Sequence, residues 1–256
     1  MSEALAPRGW LDVWVTLRHY AIVTFAVLPE ALARHLPDGF EPEVFTLTSG
    51  EQRAFVSAVS FLDVNFRLRV VPWPRFSFGQ TNYRAYVLYG GQRAAWFFGT
   101  SLATPFVLVP RYVWRMPWHH ARMQFDVDWN GDRCERYSLK TRARWGAAEI
   151  LARGSDEPVG TLDGFTTAEE TALVLTHPTD AYYRRRDGAL ATYSIAHAPL
   201  HAQRGIVERA RFTAWEDLGL VTEHETPHSV LLQRETDYAI YLPPRRIGAS
   251  REPHGT

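Results

Sequence analysis

The chain has 256 residues, and its 28 lysines and arginines balance its 28 aspartates and glutamates, so the formal net charge is zero. A neutral chain lacks the basic surface that nucleic-acid or anionic-membrane binding requires, and we predict neither partner. The length allows one large domain or two small ones. We predict a single domain over residues 8–246, with disordered termini at 1–7 and 247–256.

Cysteine usage and hydropathy predict a cytoplasmic protein. Cys134 is the single cysteine, so no internal disulfide can form, and no Cys-x-x-Cys pair surrounds it. The N-terminus lacks a basic segment followed by an apolar run, and no apolar stretch reaches the length of a membrane span. We therefore expect a soluble, unexported protein, and we leave a homo-oligomer open.

Alternating and continuous apolar runs predict a chain made mostly of short strands. In chain order, the predicted elements are a strand at 11–17, a helix at 29–35, strands at 53–62, 82–89 and 94–99, a helix at 104–115, strands at 124–129 and 133–144, a helix at 167–173, and strands at 193–196, 208–214 and 228–241. Asn130-Gly131 is typical of a tight hairpin turn, because both residues tolerate positive φ. Hairpin-connected strands with few crossover helices predict an antiparallel α+β fold, a closed or nearly closed barrel.

One predicted strand carries an unusual polar face. In the extended segment Gln80-Thr81-Asn82-Tyr83-Arg84-Ala85-Tyr86-Val87, alternation places Gln80, Asn82, Arg84 and Tyr86 on one side. A guanidinium, amides and a phenol in register can hold a carboxylate or an enolate. The periodicity does not say whether this side faces a cavity or solvent, and both interpretations stay open.

The same segment resembles the Glu-x-Asn-x-Arg-Thr-Tyr-Val motif of the YqjF-like proteins, a bacterial family in the acetoacetate decarboxylase-like superfamily. The resemblance extends over about residues 8–246 and includes Leu28-Pro29-Glu30-Ala31-Leu32, Met116-Pro117-Trp118-His119-His120-Ala121-Arg122-Met123 and His197-Ala198-Pro199-Leu200. Two positions depart from the motif, since Gln80 replaces a glutamate and Ala85 replaces a threonine.

The resemblance implies a cone-shaped antiparallel β-barrel with a few flanking helices and an internal cavity. In that fold Asn82, Arg84 and Tyr86 would point into the cavity. We expect its apolar lining to come from three aromatic residues, Trp96, Phe98 and Trp118.

The superfamily's decarboxylases form a Schiff base through a desolvated lysine. The comparable corner of this chain, at 116–120, contains no lysine, and the only lysine, Lys140, lies on a later strand between charged neighbours. We therefore expect no Schiff-base chemistry. His119 and His120 are the candidate proton-transfer residues, with a structural or surface role as their alternative.

Histidine spacing gives no support for a metal. His197 and His201 are four residues apart, as are His224 and His228, but a proline inside each interval would break the helix that makes this spacing useful. No glycine-rich phosphate loop or nucleophile elbow occurs. We predict no metal and no cofactor.

Two functions remain open on this basis. The first is a protein that binds a small carboxylate or apolar-anionic metabolite through Arg84, as a lysine-independent lyase or isomerase if it is catalytic. The second is a non-catalytic binding protein with a purely apolar cavity. A buried Arg84 must be paired, so we expect it to contact an internal carboxylate, with Asp63 and Glu235 as candidates, or an anion. Gln80 would leave Arg84 freer for a ligand than a glutamate would.

Overall fold

The structure is a computed structural model that describes residues 9–70, 73–176 and 180–247. The predicted disordered termini lie outside the described residues, apart from Ile247, whose amide donates to the Leu190 carbonyl (3.0 Å). Within these ranges the strands are β1 (Val13–Val27), β2 (Phe40–Pro42), β3 (Val44–Thr46), β4 (Gln52–Leu68), β5 (Phe76–Tyr89), β6 (Gln92–Leu102), β7 (Trp118–Asn130), β8 (Arg133–Ala143), β9 (Ala148–Gly154), β10 (Asp180–Arg184), β11 (Leu190–His197), β12 (Gln203–Phe212) and β13 (Ser229–Arg246).

The helices are short. They are α1 (Pro29–Ala33), α2 (Leu108–Tyr112), α3 (Ala168–Thr176) and α4 (Thr213–Asp217), and a 3₁₀ turn at Pro105–Val107 precedes α2. The mostly-strand composition with few helices confirms the coarse prediction. None of the helices in the described ranges is long and apolar enough to cross a membrane.

Seven strands close a ring through their hydrogen bonds. β1 pairs with β4, β4 with β5, β5 with β6, β6 with β10, β10 with β11, β11 with β13, and β13 returns to β1. All of these pairs are antiparallel except β6–β10. The apolar residues inside the ring, here called the ring core, come from several of its strands and include Tyr20, Ile22, Phe55, Val59 and Leu231.

The other long strands build a second core against the outer side of the ring strands β1, β4, β5, β6 and β13, which are here called the shared wall. β7, β8, β9 and β12 lead by successive pairings from β6 to β13. The apolar residues between them and the wall, here called the flanking core, include Tyr83, Ala85, Tyr137, Ile150 and Trp215. β4 accordingly has an unbroken buried run from Ala54 to Phe61, as expected for a strand covered on both faces.

The predicted elements are recovered with shifted ends. The helices predicted at 29–35, 104–115 and 167–173 appear as α1, the 3₁₀ turn with α2, and α3. Thr167 caps α3 as expected, because its hydroxyl accepts from the Glu170 amide (3.0 Å). The predicted hairpin joins β7 to β8, with Asn130 paired to Arg133 across the turn. The short strands β2 and β3, as well as β9 and β10, were missed, and the end of the strand predicted at 208–214 belongs to α4.

Substitution of Trp215 tests the packing of the flanking core. It is fully buried and packs its ring edge-on against Tyr83 and Phe98, with centroids 5.4 and 5.5 Å away. We expect Trp215→Ala to lower the free energy of unfolding by about 3–5 kcal/mol in urea denaturation, because it leaves a cavity. Trp10→Ala is the matched control at an exposed position, and its effect should stay within about 0.5 kcal/mol. Equal effects would contradict the packing.

Candidate functional site

The polar side of β5 faces the ring core. Tyr83 lies in the flanking core, where its hydroxyl donates to the Gly146 carbonyl (2.8 Å), and Ala85 packs in the same core. The alternate residues Gln80, Asn82, Arg84 and Tyr86 therefore point the other way, into the ring. We call this side of β5 the inner face. On β4, Phe61 pairs with Gln80, Val59 pairs with Asn82, and Ser57 pairs with Arg84.

Arg84 is the central residue of the inner face. It is only 4% exposed, yet no described carboxylate forms an ion pair with it. Its Nη2 donates to the backbone carbonyl of Leu175 (2.7 Å) and to the hydroxyl of Tyr86 (3.3 Å). Its Nε is buried without a hydrogen-bond partner among the described residues. The guanidinium is thus a buried cation, and at least its Nε donor has no partner among the described residues.

The acceptor that Arg84 uses is the end of a helix. Leu175 is the penultimate residue of α3, so its carbonyl is one of the four that have no partner within the helix. The carboxyl-terminal end of a helix carries partial negative charge, which favours a cation there. A helix end therefore stabilises the guanidinium where a carboxylate was expected.

A chain of buried hydroxyls fixes Tyr86. The Tyr86 hydroxyl donates to Leu175 O (3.2 Å) and lies 2.9 Å from the Ser57 hydroxyl, which lies 2.8 Å from that of Thr24. The Arg84 guanidinium also lies over the Tyr86 ring, 5.4 Å from its centroid. The phenol is consequently oriented from two sides.

Further tyrosines surround the cation. Burial opposes the charged form of Arg84, but the hydrogen bond to Tyr86 and the nearby oxygens of Tyr86, Tyr20 and Tyr238 together hold the pKa of Arg84 above its ordinary value. Burial also raises the pKa of Tyr20, Tyr193 and Tyr238, although Arg84 lowers each in turn. These three phenols are therefore neutral at physiological pH, and the cation keeps its single positive charge.

Below Arg84 the inner face carries a group of amides. Asn82 Oδ1 accepts from Gln80 Nε2 (2.9 Å) and from the Thr100 hydroxyl (2.8 Å). Gln80 and Asn82 are partly exposed, whereas Gly79, Thr81 and Tyr83 on the opposite face of the same strand are buried. Side chains consequently do not fill all the space in front of the two amides.

Trp96 and Phe98 do not lie beside Arg84, which corrects the expected lining. The β5–β6 register shifts after Tyr83, so Tyr83 pairs with Gly99 but Arg84 pairs with Phe97. This bulge adds one residue to β6. Beyond the bulge, the β6 side chains that regular pairing would have turned into the ring face outward, and their neighbours face inward. Trp96 and Phe98 pack in the flanking core, while Trp118 packs beside Phe97 and Phe78 on the ring side.

Neither predicted proton-transfer histidine contacts Arg84. His119 stacks on Trp145, with centroids 4.3 Å apart, and its Nδ1 lies 3.5 Å from Arg111 Nη1. Burial, followed by the charges of Arg111 and Arg186, lowers the pKa of His119 to about 4. His120 is exposed. These contacts fit the structural and surface alternatives.

The two carboxylates proposed as partners of Arg84 were wrong. Glu235 lies at the surface and pairs with Arg18 (3.1 Å). Asp63 is only 2% exposed and has no hydrogen-bond or ion-pair partner among the described residues, Arg84 included. Burial alone raises the pKa of Asp63 well above its ordinary value.

His197 is a buried residue of the ring that the sequence analysis weighed only as a metal ligand. It stacks on Tyr238, with centroids 4.4 Å apart, and its Nδ1 lies 2.7 Å from the Ala198 carbonyl. The Tyr238 hydroxyl in turn donates to that of Tyr20 (3.3 Å). The sequence signal that could have placed His197 in the ring was the strand alternation from Tyr193 to His197, because it puts both residues on one face of β11.

The other polar clusters offer no competing centre of this kind. Among the described residues, no group of three or more His, Cys, Asp or Glu side chains could hold a metal ion. Two surface clefts of about 450 and 240 Å³ are lined by β12 with the segment 223–227, and by parts of β8 and β9. Neither cleft includes an inner-face residue.

The sequence matches the family model DUF2071, described as an uncharacterized conserved protein, over residues 15–237. The chain belongs to this family. The resemblance to YqjF-like proteins is thereby confirmed. No curated protein is significantly similar to the chain in sequence.

Solved structures of the acetoacetate decarboxylase-like fold resemble the chain over nearly its whole length. The enduracididine biosynthesis enzyme MppR, complexed with pyruvate, is 14% identical with a TM-score of 0.55, covering 94% of this chain and 91% of that one. Acetoacetate decarboxylase from Legionella pneumophila is 13% identical, with a TM-score of 0.57 and coverage of 95% and 92%. An acetoacetate decarboxylase-like enzyme from Sphingomonas wittichii is 9% identical, with a TM-score of 0.56 and coverage of 96% and 98%. At these identities the likeness shows the fold alone.

We expect borohydride trapping with acetoacetate or pyruvate to leave no adduct on the only lysine. Lys140 lies on β8 with an exposed side chain, and its ammonium is 3.9 Å from the Glu149 carboxylate. Schiff-base lysines are instead desolvated or placed beside another cation. Intact-mass spectrometry measures the outcome. A mass increase in the wild type that disappears in Lys140→Ala would contradict this expectation.

Asp63 should make the stability depend on pH. Because burial raises its pKa, the folded protein keeps a proton that the unfolded chain releases, so stability is greatest below the ordinary pKa of 3.8 and falls as pH rises toward the folded value. Asparagine cannot ionise. We therefore expect Asp63→Asn to melt at a higher temperature than wild type at pH 7, and the difference to vanish near pH 4. A difference that grows on acidification would contradict this.

Proposed function

We propose that the protein binds a small carboxylate through Arg84, inside the ring of seven strands, and that this ring is the wall of a cone-shaped barrel. The observation that carries the proposal is a buried guanidinium whose Nε has no partner among the described residues. A buried charge without a counter-charge is costly, and such groups are found where a ligand completes the pairing.

The chemistry of the pocket matches a single negative charge. Nη2 already donates to Leu175 and Tyr86, so a carboxylate oxygen that accepts from Nε would fill the open donor. A hydrogen bond from the charged guanidinium to a carboxylate is charge-assisted, and therefore stronger than one between neutral groups. The surrounding phenols are neutral, so they can donate hydrogen bonds without adding charge. One buried cation therefore favours a monoanion over a phosphate, whose second charge would remain uncompensated.

The relatives support the same class of ligand. MppR is described in complex with pyruvate and with a condensation product of pyruvate, and acetoacetate decarboxylase is named for a β-keto acid. Both are small carboxylates. This support rests on shared fold, which by itself does not specify function. The charged and amide-bearing inner face argues against the alternative of a purely apolar cavity.

A lysine-independent lyase or isomerase is the second candidate. The group of Gln80, Asn82 and Thr100 favours it, because a side-chain amide beside a bound carboxylate can donate to an oxygen that gains negative charge during reaction. His119 stacks on Trp145 and His120 is exposed, so we assign neither histidine to this chemistry. Proton transfer would have to come from another residue of the ring.

Thermal-shift titration with propanoate, pyruvate and acetoacetate tests the carboxylate site. We expect each acid that binds to raise the melting temperature of the wild type. Arg84→Leu should weaken binding at least about tenfold, since it removes a charge-assisted hydrogen bond, and Arg84→Lys should recover little because the planar fork is lost.

Arg18→Leu is the matched control, because it makes the same substitution at an exposed arginine of β1. It should leave the shifts unchanged. Equal shifts for wild type and Arg84→Leu, with both proteins folded by circular dichroism, would show that Arg84 has a purely structural role.

A further inference from the structure

A second buried and unpaired polar group lies on the same side of the sheet as Arg84. In the strand register, Asp63 of β4 lies opposite Leu17 of β1 and Phe78 of β5, and both of these residues are apolar. Its carboxyl has no hydrogen-bond partner or ion pair among the described residues, and Oδ2 is fully buried. Native proteins leave few buried polar atoms in this condition, and each calls for an explanation.

The backbone next to Asp63 is irregular. Between Asp63 and Phe66, β4 carries an extra residue relative to β5, and a matching shift occurs against β1 between Trp14 and Thr16. Asn65 sits in this bulge with φ of 57°, in the left-handed region. Bulges commonly redirect a side chain or end a pairing beside a functional site. The bulge is an observation independent of the unpaired carboxyl.

The alternation of β4 relates Asp63 to Arg84. Ser57, the Cα partner of Arg84, and Asp63 lie six residues apart in the regular part of β4, so both point into the ring. This separation corresponds to roughly 20 Å along the strand. Gln80 is diagonal to Asp63 across the β4–β5 pair, and the partly exposed Gln80 and Asn82 line the interval.

We propose that Asp63, as an un-ionised carboxylic acid, and Gln80 form a second binding subsite that holds an oxo group at the far end of an elongated carboxylate anchored on Arg84. This inference rests on the proposed carboxylate site and extends it to a ligand class. When the length of the arginine side chain is subtracted from this separation along β4, the remaining distance fits a chain on the order of eight carbon atoms.

The subsite is suited to a hydrogen-bond acceptor. Leu17 from β1 and Phe78 and Gln80 from β5 bring no charge to Asp63, and no described residue forms an ion pair that would stabilise its carboxylate anion. A protonated carboxyl donates one hydrogen bond, and the Gln80 amide can donate a second. A ketone oxygen accepts both, whereas a methylene at the same position satisfies neither.

Binding of 7-oxooctanoate, octanoate and propanoate, measured by isothermal titration calorimetry on the full chain, tests the subsite. In the wild type we expect 7-oxooctanoate to bind about five- to tenfold more tightly than octanoate. Asp63→Leu should abolish that preference and leave the affinity for propanoate unchanged. Asp63→Asn keeps a neutral donor of similar shape and should retain at least part of the preference, which also guards against misfolding of the leucine variant.

The outcomes separate this inference from the proposal on which it rests. If propanoate binding depends on Arg84 but octanoate and 7-oxooctanoate bind equally, or if Asp63→Leu leaves their ratio unchanged, the subsite is disproved and the carboxylate site stands. If 8-aminooctanoate binds more tightly than 7-oxooctanoate, Asp63 acts as an anion, which overturns the neutral-donor assignment. If no acid binds, both proposals are overturned.

Discussion

The burial of one guanidinium constrains the arrangement of the ring. An arginine cannot become neutral, so the surrounding protein must supply acceptors or a ligand must do so. Here Leu175 at the end of α3, the Tyr86 hydroxyl and the Tyr86 ring supply part of that compensation. This compensation depends on the position of α3 over the ring. It also depends on the chain of hydroxyls from Thr24 to Tyr86. Nε is left without a partner among the described residues, and the proposed carboxylate site rests on this donor.

The strand pattern was predictable where it was regular and failed where a bulge intervened. The alternation of β5 correctly grouped Gln80, Asn82, Arg84 and Tyr86, although it left open whether they faced inward. Without the shift between Tyr83 and Arg84, regular pairing would have placed Phe98 and Trp96 opposite Arg84 and Tyr86. A bulge is a property of two paired strands, and nothing in the residues of β6 announces it. Two of the three predicted lining residues, Trp96 and Phe98, were therefore assigned to the wrong side, whereas Trp118 lies on the ring side.

Long-range partners were also out of reach of the sequence. The acceptor for Arg84 is a backbone carbonyl 91 residues away, and backbone carbonyls carry no residue-type signal. The expectation of an acid was reasonable from charge alone, yet Asp63 lies farther along β4 and forms no ion pair with Arg84, and burial raises its pKa. The absence of lysine from the 116–120 corner, in contrast, could be read directly from the sequence, and it is the basis for expecting no Schiff-base adduct.

A crystal structure grown with pyruvate would show whether Arg84 anchors a carboxylate. We expect density for a carboxylate within hydrogen-bonding distance, about 2.7–3.2 Å, of Arg84 Nε, inside the ring and beside Tyr86. In the same crystals without pyruvate, we expect Nε to face an ordered anion or unfilled space. An Arg84 guanidinium fully enclosed by protein atoms, with its Nε bonded to the chain and pyruvate absent from the ring, would contradict the proposed site.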